Sequence, residues 1–168
     1  MRHVLAVWVE HHAGVLSKVS GLFSRRGYNI ESLVVSKTEE NGVAQMTIVV
    51  NGNDRIIEQV IKQLNKLIDV IKVSDITCDE TVDRQLLLAR VTANNDNRSE
   101  IIQLMDIFRA RIVDIGRKSL MVEATGDEMK IQAIINSLQP FGIQEMVKTG
   151  TVSMVRENKE GSGWGGIK

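Results

Sequence analysis

Between Val9 and Val15 the hydrophobic period of the chain changes from that of a strand to that of a helix. In "RHVLAVWVE", Val4, Ala6 and Trp8 alternate with Leu5, Val7 and Val9, so both faces are apolar and the strand belongs at the centre of a sheet. After "HHAG", Val15, Val19, Leu22 and Phe23 fall on one helical stripe, while Ser17, Lys18, Ser24 and Arg25 turn outward. Gly27 is the stop signal. The segments "NIESLVVSKT" and "VAQMTIVV" read as a hairpin about "EENG". Asn53 or Asp54 then caps a second helix with Ile56, Ile57, Val60, Ile61 and Leu64 on one stripe. "DVIKVSDI" adds a last strand. The order βαββαβ is the split-βαβ, ferredoxin-like pattern.

The second half repeats this order when Phe23 is laid on Phe108. "RQLLLARVTA" supplies a first strand, "SEIIQLMDIFRA" a first helix and "ATGDEMKIQAIINSL" the counterpart of "NGNDRIIEQVIKQL". The expectation is an α+β chain of two ferredoxin-like βαββαβ domains at 1–77 and 85–155, joined by a charged linker at 78–84. Residues 156–168, with little apolar content, are expected to form a flexible tail.

Lys plus Arg and Asp plus Glu both number 21, a net charge of zero. Without a basic field, nucleic acid and anionic membrane are poor partners. "SRRGY" alone does not reverse this, because "VAQMTIVV" lacks the aromatic residues on which RNA-binding split-βαβ modules stack bases. No apolar run is long enough to span a bilayer, and the N-terminus lacks a signal-peptide cleavage pattern. The single cysteine, Cys78, excludes an internal disulfide and fits a reducing cytoplasm. With no second cysteine or nearby histidine, it reads as an inert linker thiol. His11 and His12 are adjacent, so their rings diverge and make a poor metal pair, and His3 is at the other end of the strand. No catalytic motif appears: no nucleophile elbow, no paired carboxylates, no metal motif.

What stands out is the helix start at "EHHAGVL". Gly14 lets a ligand approach the backbone, and the N–H groups of Val15 and Leu16 with the helix dipole suit a carboxylate. The plainer alternative is that Gly14 only permits a tight turn. Asn29, at the start of the second strand, offers an amide to an amino or carboxylate group if it comes near the first loop or a symmetry mate's loop; otherwise it satisfies its own turn. In the repeat, His11, Gly14, Val15 and Asn29 fall on Asp96, Ser99, Glu100 and Asp114, whose charges would repel an anion. Only the N-terminal domain is then expected to hold one.

The residues "GVLSKVSGLFSRRGYNIESLVV", "MTIVV" and "KQLNKLIDVIKVSDIT" resemble the ACT domain of the acetolactate synthase (acetohydroxyacid synthase) small subunit. The resemblance continues through "RQLLLARV", "IFRARIVDI" and "KTGTVSMVR". It implies a non-catalytic regulatory subunit that activates a catalytic (large) subunit and transmits feedback inhibition by a branched-chain amino acid, usually L-valine. Thiamine diphosphate, Mg and FAD would belong to the catalytic subunit, leaving no cofactor and no metal in this chain. The resemblance also implies an effector site of Gly14, Val15, Leu16, Asn29 and Ile30, with His11 where many members carry asparagine. It implies a homodimer through the second strand, "ESLVVS". Two rival readings are a free-standing ACT amino-acid sensor and an acylphosphatase-type enzyme, the latter disfavoured because "EHHAG" has no arginine.

Overall fold

In the computed structural model, which describes residues 1–157, the chain divides into two units. One comprises Met1–Val82 with residues 153–157 of the described chain, the other Asp83–Val152. The expected tail, apart from Arg156 and Glu157, lies outside the described residues.

The first unit runs β1 (Arg2–Glu10), α1 (Val15–Arg25), β2 (Ile30–Lys37), β3 (Val43–Asn51), α2 (Asp54–Leu64) and β4 (Val70–Asp75). Its antiparallel sheet has the order β2-β3-β1-β4. β1 is interior, and its two apolar faces have separate uses. Leu5, Val7 and Val9 pack with Val15, Val19, Leu22 and Phe23 of α1 and with Ile57, Val60 and Leu64 of α2. Val4, Ala6 and Trp8 form a smaller core with Val43, Val49 and Ile76, against which Val155 packs. Asn53 is the cap of α2, its Oδ1 accepting from the Ile56 N–H at 2.9 Å. Gly27 ends α1 with φ +67°, and the Tyr28 N–H donates back to the Phe23 carbonyl at 3.0 Å.

The second unit contains most of β5 (Thr81–Thr92), then α3 (Arg98–Phe108), β6 (Arg111–Ile115), β7 (Ser119–Gly126), α4 (Glu128–Leu138), a 3-10 turn at Gln139–Phe141 and β8 (Ile143–Lys148). Its sheet order, β6-β7-β5-β8, reproduces that of the first unit, and β9 (Val152–Val155) also pairs with β5. The fold is α+β with the same topology twice, as the repeat implies. β5 begins at Thr81, so part of the segment expected to be linker is strand.

The register of the repeat differs from the sequence alignment. The bulge between Trp8 and Val9 recurs between Arg90 and Val91, and the bulge at Ile30/Ser32 recurs at Ile112/Asp114. The Tyr28-to-Phe23 bond that closes α1 recurs as Ala110 N–H to Met105 carbonyl at 2.9 Å, with Arg109 at φ +52° in the place of Gly27. Phe23 therefore corresponds to Met105, three residues before Phe108. Positions three apart share a helix face, so the apolar stripe survives the slip and hides it. The counterparts of His11, Gly14, Val15 and Asn29 are Ala93, Asp96, Asn97 and Arg111, not Asp96, Ser99, Glu100 and Asp114.

Candidate functional site at the start of the first helix

The chain leaves β1 at Glu10, and the His11 N–H donates to the Gly42 carbonyl at 2.7 Å, which ties the loop to the β2–β3 turn. Gly14 then adopts φ +93°, a state that L side chains rarely take, and a Cβ there would meet no atom within 4 Å. No side chain caps α1. The first N–H groups of a helix have no acceptor within it, so this start faces open space with its donors and positive dipole end available. Val15 is buried in the core and offers only its N–H, whereas Leu16 and His11 are exposed.

The loop is held from beneath by Asp69, whose side chain is 6% exposed. Its Oδ2 accepts from Lys18 Nζ at 2.6 Å, its Oδ1 from His12 Nε2 at 3.0 Å, and its carbonyl from the Glu10 N–H at 2.9 Å. His12 Nδ1 donates to the Ala13 carbonyl at 3.0 Å, and Glu10 Oε2 lies 3.4 Å from Nε2. With an acceptor at each nitrogen the ring is suited as imidazolium. The Ala13 carbonyl foremost, then Asp69 and Glu10, raise the His12 pKa from its ordinary 6.5 against the opposing effect of desolvation. The Lys18 hydrogen bond is the main cause holding the Asp69 carboxyl below its ordinary 3.8. Ligand atoms of Glu10, His12 and Asp69 lie within 4.8 Å of one another, a spacing fit for an ion. Lys18 already supplies the cation there.

Lys18 and Asp69 were not among the residues the sequence singled out, and His12 was weighed there only with His11, as a poor metal pair. Asp69 is 57 positions from His12 and 51 from Lys18, and no local pattern links them.

Asn29 and Ile30 lie elsewhere. Ile30 pairs with Val50 and Val50 with His3, near the start of β1, whereas the Gly14 loop leaves its far end, where Glu10 pairs with Val43. Nine residues of strand put these two points roughly 25 Å apart. Of the two positions considered for Asn29, beside its own chain's loop or beside a symmetry mate's, the first is excluded. Asn29 itself is exposed.

The second unit treats its equivalent loop differently. Asn94 Oδ1 accepts from the N–H groups of Asp96 and Asn97, each at 3.0 Å. These donors are thus filled by the loop's own side chain. Asn94 thus takes up donors in this loop where the first unit has no side-chain cap, and the counterpart of Asn29 is a cation, Arg111.

Cys78 is a free, exposed thiol that shares an open cleft of about 480 Å³ with His3, Asp54, Glu58, Asp75 and Thr77. Among the described residues no helix is long and apolar enough to cross a membrane.

Comparison with known proteins adds the following. The family described as "Small subunit of acetolactate synthase" matches residues 84–157, and "AHAS small subunit-like ACT domain" matches residues 5–72. A probable acetolactate synthase small subunit of Archaeoglobus fulgidus is 55% identical over 160 residues, covering 95% of this chain and all of that one. The acetolactate synthase small subunit of Mycobacterium leprae is 49% identical over 154 residues, covering 92% of this chain and 91% of that one. The crystal structure of the acetolactate synthase small subunit from Thermotoga maritima aligns with a TM-score of 0.87 at 38% identity, over 94% of this chain and 99% of that one.

Proposed function

The chain belongs to the acetolactate synthase small-subunit family, and on that premise we propose that it is the regulatory subunit of the enzyme, without catalytic activity of its own. It binds the thiamine-diphosphate-dependent catalytic subunit in the cytoplasm, raises its rate and transmits feedback inhibition by a branched-chain amino acid, valine first. The observation that carries this reading is the uncapped, unobstructed start of α1 at Gly14. There the N–H groups of Val15 and Leu16 receive the effector carboxylate, with His11 beside them.

Asn29 and the Ile30 backbone hold the amino end, and because they stand at the far end of their own sheet they come from a second copy. β2 is an edge strand, and two copies joined antiparallel along it bring the Asn29 end of one to the Gly14 end of the other. Burying a valine side chain contributes about 1.5–3 kcal/mol, and each charge-assisted hydrogen bond about 1.5–3. Set against several kcal/mol of association cost, this gives about micromolar to millimolar affinity, suited to sensing a metabolite pool. One methylene separates valine from leucine or isoleucine, so selectivity is incomplete.

Titration calorimetry with L-valine, beside leucine, isoleucine and serine, tests the site, and an acetolactate assay with the catalytic subunit tests the role. Saturable valine binding with a valine-sensitive gain in rate is expected. Binding with no effect on the catalytic subunit would instead mark a free-standing sensor.

A further inference from the structure

His12 stands two residues before Gly14, at the junction of β1 and α1, and holds the loop in two places. Its Nδ1 donates to the Ala13 carbonyl and its Nε2 to Asp69 Oδ1, both at 3.0 Å. The Ala13 carbonyl belongs to the peptide that enters Gly14, so this bond fixes one side of the rotation that leaves Gly14 at φ +93°. Asp69, immediately before β4, ties the ring to the sheet, its own carbonyl accepting from the Glu10 N–H at 2.9 Å. Only the imidazolium form carries a proton on each ring nitrogen. A neutral ring keeps one N–H and gives up one of the two attachments.

The same proton sets the local charge. Glu10 Oε2 at 3.4 Å and Asp69 Oδ1 at 3.0 Å face the ring from β1 and from the segment before β4, and Lys18 of α1 reaches Asp69 Oδ2 at 2.6 Å. His11, also exposed, adjoins the ring in sequence. The Glu10 and Asp69 carboxylates balance Lys18 and the imidazolium; loss of the His12 proton leaves one negative charge in excess. Chain length alone puts the His12 Cα within about 10 Å of the Val15 N–H, about one Debye length at 0.1 M salt. An anion at the helix start therefore meets a neutral group in one state and a negative one in the other. The His12 side chain is 47% exposed, so it exchanges its proton with solvent. The Ala13 carbonyl, then Asp69 and Glu10, raise its pKa from 6.5.

Resting on the reading of Gly14 as the effector site, we propose that effector binding is coupled to a proton on His12: the loop takes the carboxylate best beside the imidazolium and holds it less well once the ring is neutral. Linkage gives the sign. A carboxylate that favours the protonated state raises the His12 midpoint in return, so valine binding takes up protons and affinity falls as pH rises through that midpoint. At the effective dielectric of a protein surface, one charge at this distance changes affinity about two- to fourfold in 0.1 M salt, and more at lower salt. Near the midpoint that corresponds to about 0.2–0.3 proton taken up per valine bound.

The test titrates the full chain with L-valine in two buffers of different ionisation enthalpy, once at the His12 midpoint and once near pH 8.5, below the titration of the valine amine. The heat at the midpoint should depend on the buffer, and affinity should be about two- to fourfold weaker near pH 8.5. His12→Gln, a change at a half-exposed position that cannot titrate, should bind valine with neither the buffer dependence nor the pH dependence. Glu10→Gln, exposed on the flank of the ring, should move the His12 midpoint and the affinity profile down together. Saturable binding with no proton uptake, or uptake that survives His12→Gln and so belongs to His11, would overturn the coupling and leave the effector site standing. Absence of valine binding at both pH values would overturn the effector reading and the coupling with it.

Discussion

At Gly14, conformation and charge are separable. Asparagine tolerates the left-handed region, so Gly14→Asn should fold and dimerise normally, while Gly14→Asp adds a charge facing the effector carboxylate. Valine affinity at least tenfold lower in the aspartate than in the asparagine variant is the expected calorimetric result; equal affinities would remove the loop from the proposed site. Beneath the loop, His12 has its pKa raised and Asp69 its pKa lowered. The histidine's contribution is fully present below the unfolded value and fades as pH rises through the folded one; that of Asp69 is present above its unfolded value and fades as pH falls. The clamp is thus complete from the weakly acidic range up to about pH 6.5 and weakens as pH rises above it. Proton titration of His12 by NMR should give a midpoint above 6.5 that falls in Asp69→Asn, which keeps the Ala13 carbonyl but loses the Asp69 charge. The helix start at Gly14 was legible in the sequence because a glycine between two hydrophobic periods is a local signal. The clamp was not, since its members meet only after β4 has been laid beside β1.

Among the elements, those with an unambiguous period were legible. The buried residues of α1 are the four that its stripe singles out, and β1 is central as its two apolar faces require. The alignment of the two halves slipped by three residues because a helical stripe looks alike after that step. What fixes the register is the backbone, through paired bulges and paired helix ends, and these leave little trace in composition. The helix ends show the difference. Where α1 closes on Gly27, α3 closes on Arg109, the one non-glycine residue with positive φ among the described residues. For an ordinary side chain that conformation costs about 1–2 kcal/mol. Arg109 is exposed, so Arg109→Gly should raise stability by up to about 1 kcal/mol after the glycine's greater unfolded-state freedom is subtracted. Urea denaturation would register it as a higher midpoint at unchanged slope.

In the whole molecule, one topology serves two ends that differ by a few side chains: a loop left open at Gly14, and one whose donors Asn94 takes up. The duplication was legible from element order, while the difference in use depended on where a single amide side chain turns. The roughly 25 Å between Gly14 and Asn29 in one chain has a consequence for dosage. A site that needs both is assembled by two chains, so its abundance varies with the square of the free monomer concentration, and effector and partner copy tighten each other's binding. Valine should therefore lower the dimer dissociation constant in sedimentation velocity, and its apparent affinity should weaken on dilution below that constant. On the proposed function, a cell making less of this chain would lose feedback sooner than it lost the chain.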